Sequence, residues 1–236
     1  MLVFFIHGYP DGCIIYSNLV NELLDINCIP IVINNRTGIS LSQNKLLVQE
    51  IIESYPKNMS KTIIAHDWGA VLTWKLLKYF NDWNVTKFVC LSVSFLFQAE
   101  KFRTLGERSY QLTLWFSKYV PSCISNPLQT IVVGSSNRQA QYNNSRSAYY
   151  YSLKYALGYA FGIEKYFCSL KDLSKSKTKI LFITSTQDKD LGFAPVLALD
   201  TLKNRGDTII NLDSHHFFAH NLEFLDPTIK SFILKE

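Results

Sequence analysis

One aspartate lies between two segments whose patterns predict a strand and a helix. Thr62–Ala65 is an apolar, β-branched run typical of a buried strand, and Trp68–Phe80 is a mostly apolar run that indicates a helix. Only a sharp turn fits between them, with Asp67 at its tip and the small residues Ala65 and Gly69 on either side. Such a strained turn holds a nucleophile above the carboxyl end of a sheet strand. We therefore interpret Asp67 as a nucleophile, and the alternative is an ordinary helix N-cap.

A second candidate segment follows the apolar run Leu2–Ile6. In an open α/β sheet this loop would face Asp67 across the carboxyl ends of the strands, where ligands bind. The backbone N–H groups of Tyr9 and Trp68 would then form an oxyanion hole. The alternative is a simple Gly/Pro turn. The segment consists of His7, Gly8, Tyr9 and Pro10.

A carboxylate and a histidine follow the last two predicted strands. Asp188 could accept the Nδ1–H of a histidine and fix its tautomer, and Asp190 is close enough in sequence to compete. We interpret His216 as a general base, with His215 as the alternative. The order along the chain is therefore nucleophile, acid, base.

An aspartate nucleophile restricts the chemistry. A carboxylate that attacks an acyl carbon gives an anhydride, which offers no easier route to hydrolysis. Attack on an sp³ carbon gives an ester that an activated water can hydrolyse. We therefore expect a small lipophilic substrate with a strained ring or a good leaving group on carbon, namely an epoxide or an alkyl halide.

The candidate residues all follow predicted strands of one parallel sheet. Apolar runs separated by helices of this length indicate right-handed crossovers. After Ser94 this alternation stops, and the aromatic-rich segment that follows is interpreted as a helical insertion. The predicted strands are Leu2–Ile6, Cys28–Ile33, Thr62–Ala65, Val85–Val93, Lys179–Thr184 and Asp207–Leu212. The predicted helices are Ile14–Asp25, Ser40–Tyr55, Trp68–Phe80, Ala194–Lys203 and one through Phe232.

The motifs resemble those of α/β-hydrolases in the epoxide hydrolase and haloalkane dehalogenase group. The matching segments are His-Gly-Tyr-Pro-Asp at 7–11, His-Asp-Trp-Gly at 66–69, and the late Asp and His. The resemblance implies an α/β-hydrolase fold, with a mostly parallel sheet flanked by helices and a helical cap inserted after the fourth strand. It implies a core of residues 1–94 and 178–236 around a cap of residues 95–177.

The same resemblance implies two cap tyrosines that donate hydrogen bonds to an epoxide oxygen. Tyr110, followed by Gln-Leu, is similar to the first such motif. The second is expected in the triple-tyrosine cluster, where we favour Tyr150, with Tyr149 and Tyr151 as alternatives. Packing of the cap is the alternative role for any one of these rings.

The chain departs from the family pattern in three ways. Ala65 and His215 stand where the family usually has glycine, and the second change leaves the choice between His215 and His216 open. The chain also begins in what resembles the third strand of the family, so its first two strands are expected to be missing. That absence predicts an exposed sheet edge.

Composition excludes several other classes of protein. A net charge of +5 over 236 residues, with scattered lysines, gives no basic face for nucleic acid. Five separated cysteines without a CxxC pair, and no secretory or membrane-spanning segment, predict a cytoplasmic protein with reduced thiols. We expect no metal or other cofactor, and the sequence leaves the oligomeric state open.

Three functions remain in competition. An epoxide hydrolase is favoured by Tyr110 and the triple-tyrosine cluster. A dehalogenase acting on haloalkanes or haloacids would need halide donors, for which Trp68 and Trp115 are candidates. A ligand-binding relative that has lost its chemistry would share the same fold.

Overall fold

The centre of the molecule is a six-stranded parallel sheet in the order β2-β1-β3-β4-β5-β6. The computed structural model describes residues 1–8, 12–23, 25–32, 41–95, 120–121, 123–124, 127, 168–186, 196–213 and 224–235. The strands are β1 (Leu2–Ile6), β2 (Asn27–Ile31), β3 (Lys61–His66), β4 (Val85–Leu91), β5 (Lys179–Ser185) and β6 (Thr208–Leu212). All five pairings are parallel, so the carboxyl ends of the strands meet at one edge.

Helices follow the strands, as a parallel sheet requires for its crossovers. The described helices are α1 (Ser17–Glu22), α2 (Leu41–Glu53), α3 (Trp68–Leu76), α4 (Phe80–Trp83), α5 (Leu170–Lys175), α6 (Val196–Asn204) and α7 (Asp226–Leu234). The helix expected at 68–80 is interrupted by a 3-10 turn at Leu77–Tyr79, and the one expected at 14–25 begins as a 3-10 turn at Cys13–Tyr16.

Both faces of the sheet are covered by apolar side chains. On one face, Val3 and Ile64 pack in a cluster with Leu19 of α1 and Ile229 of α7. Neighbouring strand residues alternate to the other face, where the ring of Phe88 lies 4.8 Å from that of Trp74 in α3. A strand buried on both faces needs a continuous apolar sequence, which explains the uninterrupted run in β1.

The predicted α/β class and mostly parallel sheet are confirmed. The chain divides into two compact units, one of Met1–Ile33, Lys45–Phe97 and Tyr166–Glu236 and one of Asn34–Asn44 and Gln98–Lys165. The first contains the sheet, and most of the second lies outside the described residues. The domain boundaries, the cap and the missing strands stay predictions. No described helix is both long and apolar enough to cross a bilayer.

Candidate active site

Asp67 occupies the strained turn between β3 and α3. Its backbone has φ +50° and ψ −119°, a conformation that costs a non-glycine residue about 1–3 kcal/mol. The turn is tight because β3 ends at His66 and α3 begins at Trp68. The carbonyl of Asp67 accepts the first helical hydrogen bond, from the N–H of Val71 at 3.0 Å. Asp67 therefore stands at the tip of the turn, as its flanking residues predict.

The side chain of Asp67 does not cap the helix, although the residue holds the N-cap position. It is 3% exposed and lies against the loop that follows β1. A Cβ atom placed on Gly8 would stand 2.4 Å from the Cβ of Asp67 and 2.6 Å from its Oδ2. The carboxylate is therefore turned toward the carboxyl end of β1 and makes no capping hydrogen bond to α3, and its role as a nucleophile stays a prediction.

Gly69 allows the turn to approach β1 this closely. A Cβ atom at Gly69 would lie 2.3 Å from the carbonyl oxygen of Ile6 and 2.7 Å from that of His7, both in the backbone. Any side chain here would push α3 away from the end of β1. The small residue that the sequence shows at position 69 thus serves the contact between two strand ends.

The loop after β1 is anchored from within the core. His7 is buried, and its Nδ1–H donates to the carbonyl of Gly8 at 2.7 Å. One residue earlier, the hydroxyl of buried Tyr16 donates to the carbonyl of Ile6 at 2.9 Å. Tyr9 and Pro10 lie outside the described residues. The oxyanion hole of the Tyr9 and Trp68 amides therefore stays a prediction.

Ser92, at the end of β4, is a feature that the sequence did not identify. The N–H of Asp67 donates to the carbonyl of Leu91 at 3.4 Å, so Ser92 lies beside the turn. Ser92 is buried and has φ +82°. The predicted strand ran to Val93, but the strand ends at Leu91 because Ser92 leaves the extended conformation. A short polar residue directly after an apolar strand was the available signal.

Buried hydroxyl groups continue from Ser92 along this edge of the sheet. The side chains of Ser94, Thr184 and Ser185 are each at most 5% exposed. The N–H of Ser92 donates to the carbonyl of Ile183 at 2.8 Å, which joins the ends of β4 and β5. The polar edge therefore runs from the candidate nucleophile to the strand that precedes Asp188.

Cys90 is excluded as a competing nucleophile. It pairs with Ala65 in the β3–β4 register, two residues before the turn. Complete burial raises the pKa of its thiol well above the ordinary value, so the thiolate is not formed at neutral pH. Among the residues that the structure describes, no three His, Cys, Asp or Glu side chains gather as a metal site.

The remaining candidates lie outside the described residues. These are Asp188, Asp190, His215, His216, Tyr110, Tyr149, Tyr150 and Tyr151. The structure does describe where the two triad loops begin. Ser185 of β5 pairs with Leu212 of β6, so the segments leading to Asp188 and His216 leave neighbouring strands at the same edge as Asp67. The roles of these residues stay predictions.

The parallel sheet, its order and the strained turn define the α/β-hydrolase fold. No family model and no curated protein matches the sequence. Solved structures do match, and epoxide hydrolases are among them. An inhibitor complex of the Bacillus megaterium epoxide hydrolase superposes with a TM-score of 0.68 at 16% identity, covering 99% of this chain and 93% of that one.

A second epoxide hydrolase and an esterase share the fold to a similar extent. An epoxide hydrolase from Vigna radiata has a TM-score of 0.64 at 16% identity, over 98% of this chain and 90% of its own. An esterase from Exiguobacterium antarcticum has a TM-score of 0.65 at 14% identity, over 100% and 92%. At identities this low, the structural matches establish the fold alone. The activity has to be argued from the residues of the site.

Proposed function

We propose that the protein is a hydrolase that opens epoxides through a covalent alkyl ester on Asp67. One observation supports this most directly: a buried carboxylate occupies the strained turn at which this fold presents its nucleophile. A carboxylate there suits attack on a saturated carbon, for the chemical reason given above. The epoxide hydrolases among the structural matches are consistent with this assignment.

The first half-reaction forms the ester. A carboxylate oxygen of Asp67 attacks one ring carbon, the carbon–oxygen bond of the epoxide breaks, and its oxygen takes a proton from Tyr110 or Tyr150. Attack by a carboxylate oxygen needs no general base, because a carboxylate has no proton to lose. The positive end of α3 stabilises the carboxylate before it reacts.

The second half-reaction releases the diol. His216 takes a proton from water, which attacks the ester carbonyl of Asp67, and Asp188 stabilises the imidazolium. The oxyanion is held by the N–H groups of Tyr9 and Trp68. Collapse of this intermediate expels the diol oxygen, which takes the proton from His216. The proton left on the Asp67 carboxyl group returns to the tyrosinate, so the carboxylate, the imidazole and the tyrosine are all regenerated.

Trapping the ester tests this function. With styrene oxide, the His216→Gln variant should accumulate an adduct on Asp67 that adds the mass of one whole epoxide. The His215→Gln variant is the matched control, because it removes the neighbouring imidazole and should turn over normally. If His215→Gln traps the ester instead, His215 is the base. If folded samples of both variants form no adduct with any epoxide, the proposed function is wrong.

Haloalkane hydrolysis is the second candidate, favoured by Trp68. This indole directly follows the nucleophile and is 4% exposed, a placement consistent with a halide donor. An alkyl halide would add only its alkyl group to the protein mass and would release a halide ion. Adduct masses from the two substrate classes in His216→Gln therefore separate these activities.

A further inference from the structure

Thr186 joins the ends of β5 and β6 beyond the last paired residues of the two strands. Its N–H donates to the carbonyl of Leu212 at 2.8 Å. Its hydroxyl lies 3.1 Å from the same carbonyl and 3.1 Å from the Oδ1 of Asp213, and both oxygens are acceptors. Thr186, directly after β5, thus contacts the backbone of Leu212 at the end of β6 and the side chain of Asp213 at the start of the loop that follows β6.

These contacts lie at the roots of the two loops that carry the predicted acid and base. Asp188 is two residues beyond Thr186, and His216 is three residues beyond Asp213. An acid–base pair works only if its members stay within hydrogen-bond distance. The relative position of the two loop roots therefore controls that pair, while Asp67 leaves from β3 on the far side of β4.

The contribution of Thr186 to the core is small. The residue is exposed, and its hydroxyl contacts lie at the surface. Substitutions at exposed positions usually change stability little. Removal of the Thr186 hydroxyl can therefore change the rate of the reaction without a large change in the free energy of unfolding.

We propose that Thr186 is a positioning residue. Through its contacts with Leu212 and Asp213, it fixes the distance between the loop that carries the acid and the loop that carries the base. The inference depends on the proposed function. It assigns Thr186 to the hydrolysis of the ester, which requires the acid–base pair, and leaves formation of the ester on Asp67 unaffected.

The Thr186→Val variant tests this because it keeps the shape and the N–H but removes the hydroxyl. We expect kcat to fall about three- to tenfold, the loss of one ordinary hydrogen bond, while kcat/KM is retained because the alkylation step is intact. Ester should accumulate on Asp67 during turnover, as measured by quenching and intact mass. Thr186→Ser, which keeps the hydroxyl, should restore the wild-type kcat and the wild-type amount of ester on Asp67 during turnover.

Two further variants separate positioning from a general structural effect. Thr201→Val removes a hydroxyl bond of the same kind, from Thr201 to the carbonyl of Leu197 at 2.6 Å in α6, and should leave kcat unchanged. Asp213→Ala should slow the same step as Thr186→Val, and the double variant should be no slower than the slower single variant.

The outcomes distinguish this inference from the proposed function. If His216→Gln traps the ester but Thr186→Val hydrolyses it at the wild-type rate, Thr186 has no positioning role. A loss of kcat/KM equal to the loss of kcat would also overturn the inference, because alkylation would then be affected. If neither His216→Gln nor His215→Gln forms an adduct, the proposed function fails and this inference fails with it.

Discussion

Buried polar groups differ between the two ends of the parallel strands. The strands begin at what we call the amino edge of the sheet, and they end at the carboxyl edge, where Asp67 lies. At the amino edge, the buried ammonium of Lys61 donates to three backbone carbonyls, at 2.7 Å to Pro56, 2.8 Å to Trp83 and 3.3 Å to Met59. Where β5 and β6 begin, the guanidinium of the partly buried Arg205 donates to the carbonyls of Leu173, Ser176 and Thr178 and to the carboxylate of Asp207.

At the carboxyl edge, two of the polar residues are held in unfavourable backbone conformations. Asp67 and Ser92 are two of the three non-glycine residues with positive φ in the described part of the chain. The third, Asn84, ends α4 in the left-handed conformation, where asparagine is common. Strain that the surrounding structure maintains is typical of functional sites. We therefore expect the amino edge to support stability and the carboxyl edge to support the proposed reaction.

The largest expected effect comes from Asp67→Asn. We expect turnover to fall by at least about 10⁴-fold because the nucleophile is lost. The free energy of unfolding should change little, since asparagine has nearly the size and shape of aspartate and both residues tolerate positive φ better than most. Activity and urea-unfolding measurements on the same sample test both parts. A large loss of stability would mean that this edge, too, supports the fold.

The Gly8→Ala variant tests the close contact at Asp67. The new methyl group would overlap the Asp67 side chain, and a displacement of about 1 Å at a reacting group costs about 10²-fold in rate. The matched control is Gly12→Ala, because a Cβ there meets no atom within 4 Å. The rate of ester formation reports the effect, and equal rates in the two variants would contradict the geometry of the turn.

At the amino edge, Lys61→Met should reduce stability and leave catalysis intact. Three carbonyls would lose a charged donor, so we expect about 2–4 kcal/mol less unfolding free energy by urea denaturation. Lys57→Met replaces an exposed lysine and should change stability little. A Lys61→Met protein that keeps its stability but loses kcat would reverse the assignment of the two edges.

The smallest expected effect is at the end of β4. Ser92→Gly removes the Cβ that disfavours φ +82°, so the free energy of unfolding should rise by up to about 1 kcal/mol. Ser94 has no positive φ, so Ser94→Gly should instead cost about 0.5–1 kcal/mol. Thermal unfolding of the pair measures both. The same sign for both variants would argue against strain at Ser92.

The six strands were predictable because each is a short apolar run bounded by turn residues. The central strand β3 is buried along its whole length, so its sequence carries no competing polar signal. Strand ends were predicted less well. The strand β4 stops two residues before its predicted end because Ser92 adopts a positive φ, a conformation that a serine in the sequence does not indicate. The break of the long helix after Leu76 was likewise not visible in an apolar pattern.

The turn at Asp67 was predictable because it requires small neighbours and a strand–helix boundary, both of which are local. The bonds from Thr186 to Leu212 and Asp213 were not, because they join segments 26 and 27 residues apart. Similarly, nothing local shows that Lys61 is buried with three carbonyl partners. Long-range polar contacts depend on register between strands, and one sequence does not contain that register explicitly.

A single-turnover reaction with an epoxide in heavy-oxygen water tests the covalent role of Asp67 most directly. Because water attacks the ester carbonyl, the account predicts that the heavy oxygen enters the Asp67 carboxylate, detected by peptide mass. The first diol released should carry an unlabelled oxygen from Asp67. Heavy oxygen in the first diol, with Asp67 unlabelled, would show direct attack of water on the epoxide and would contradict the account.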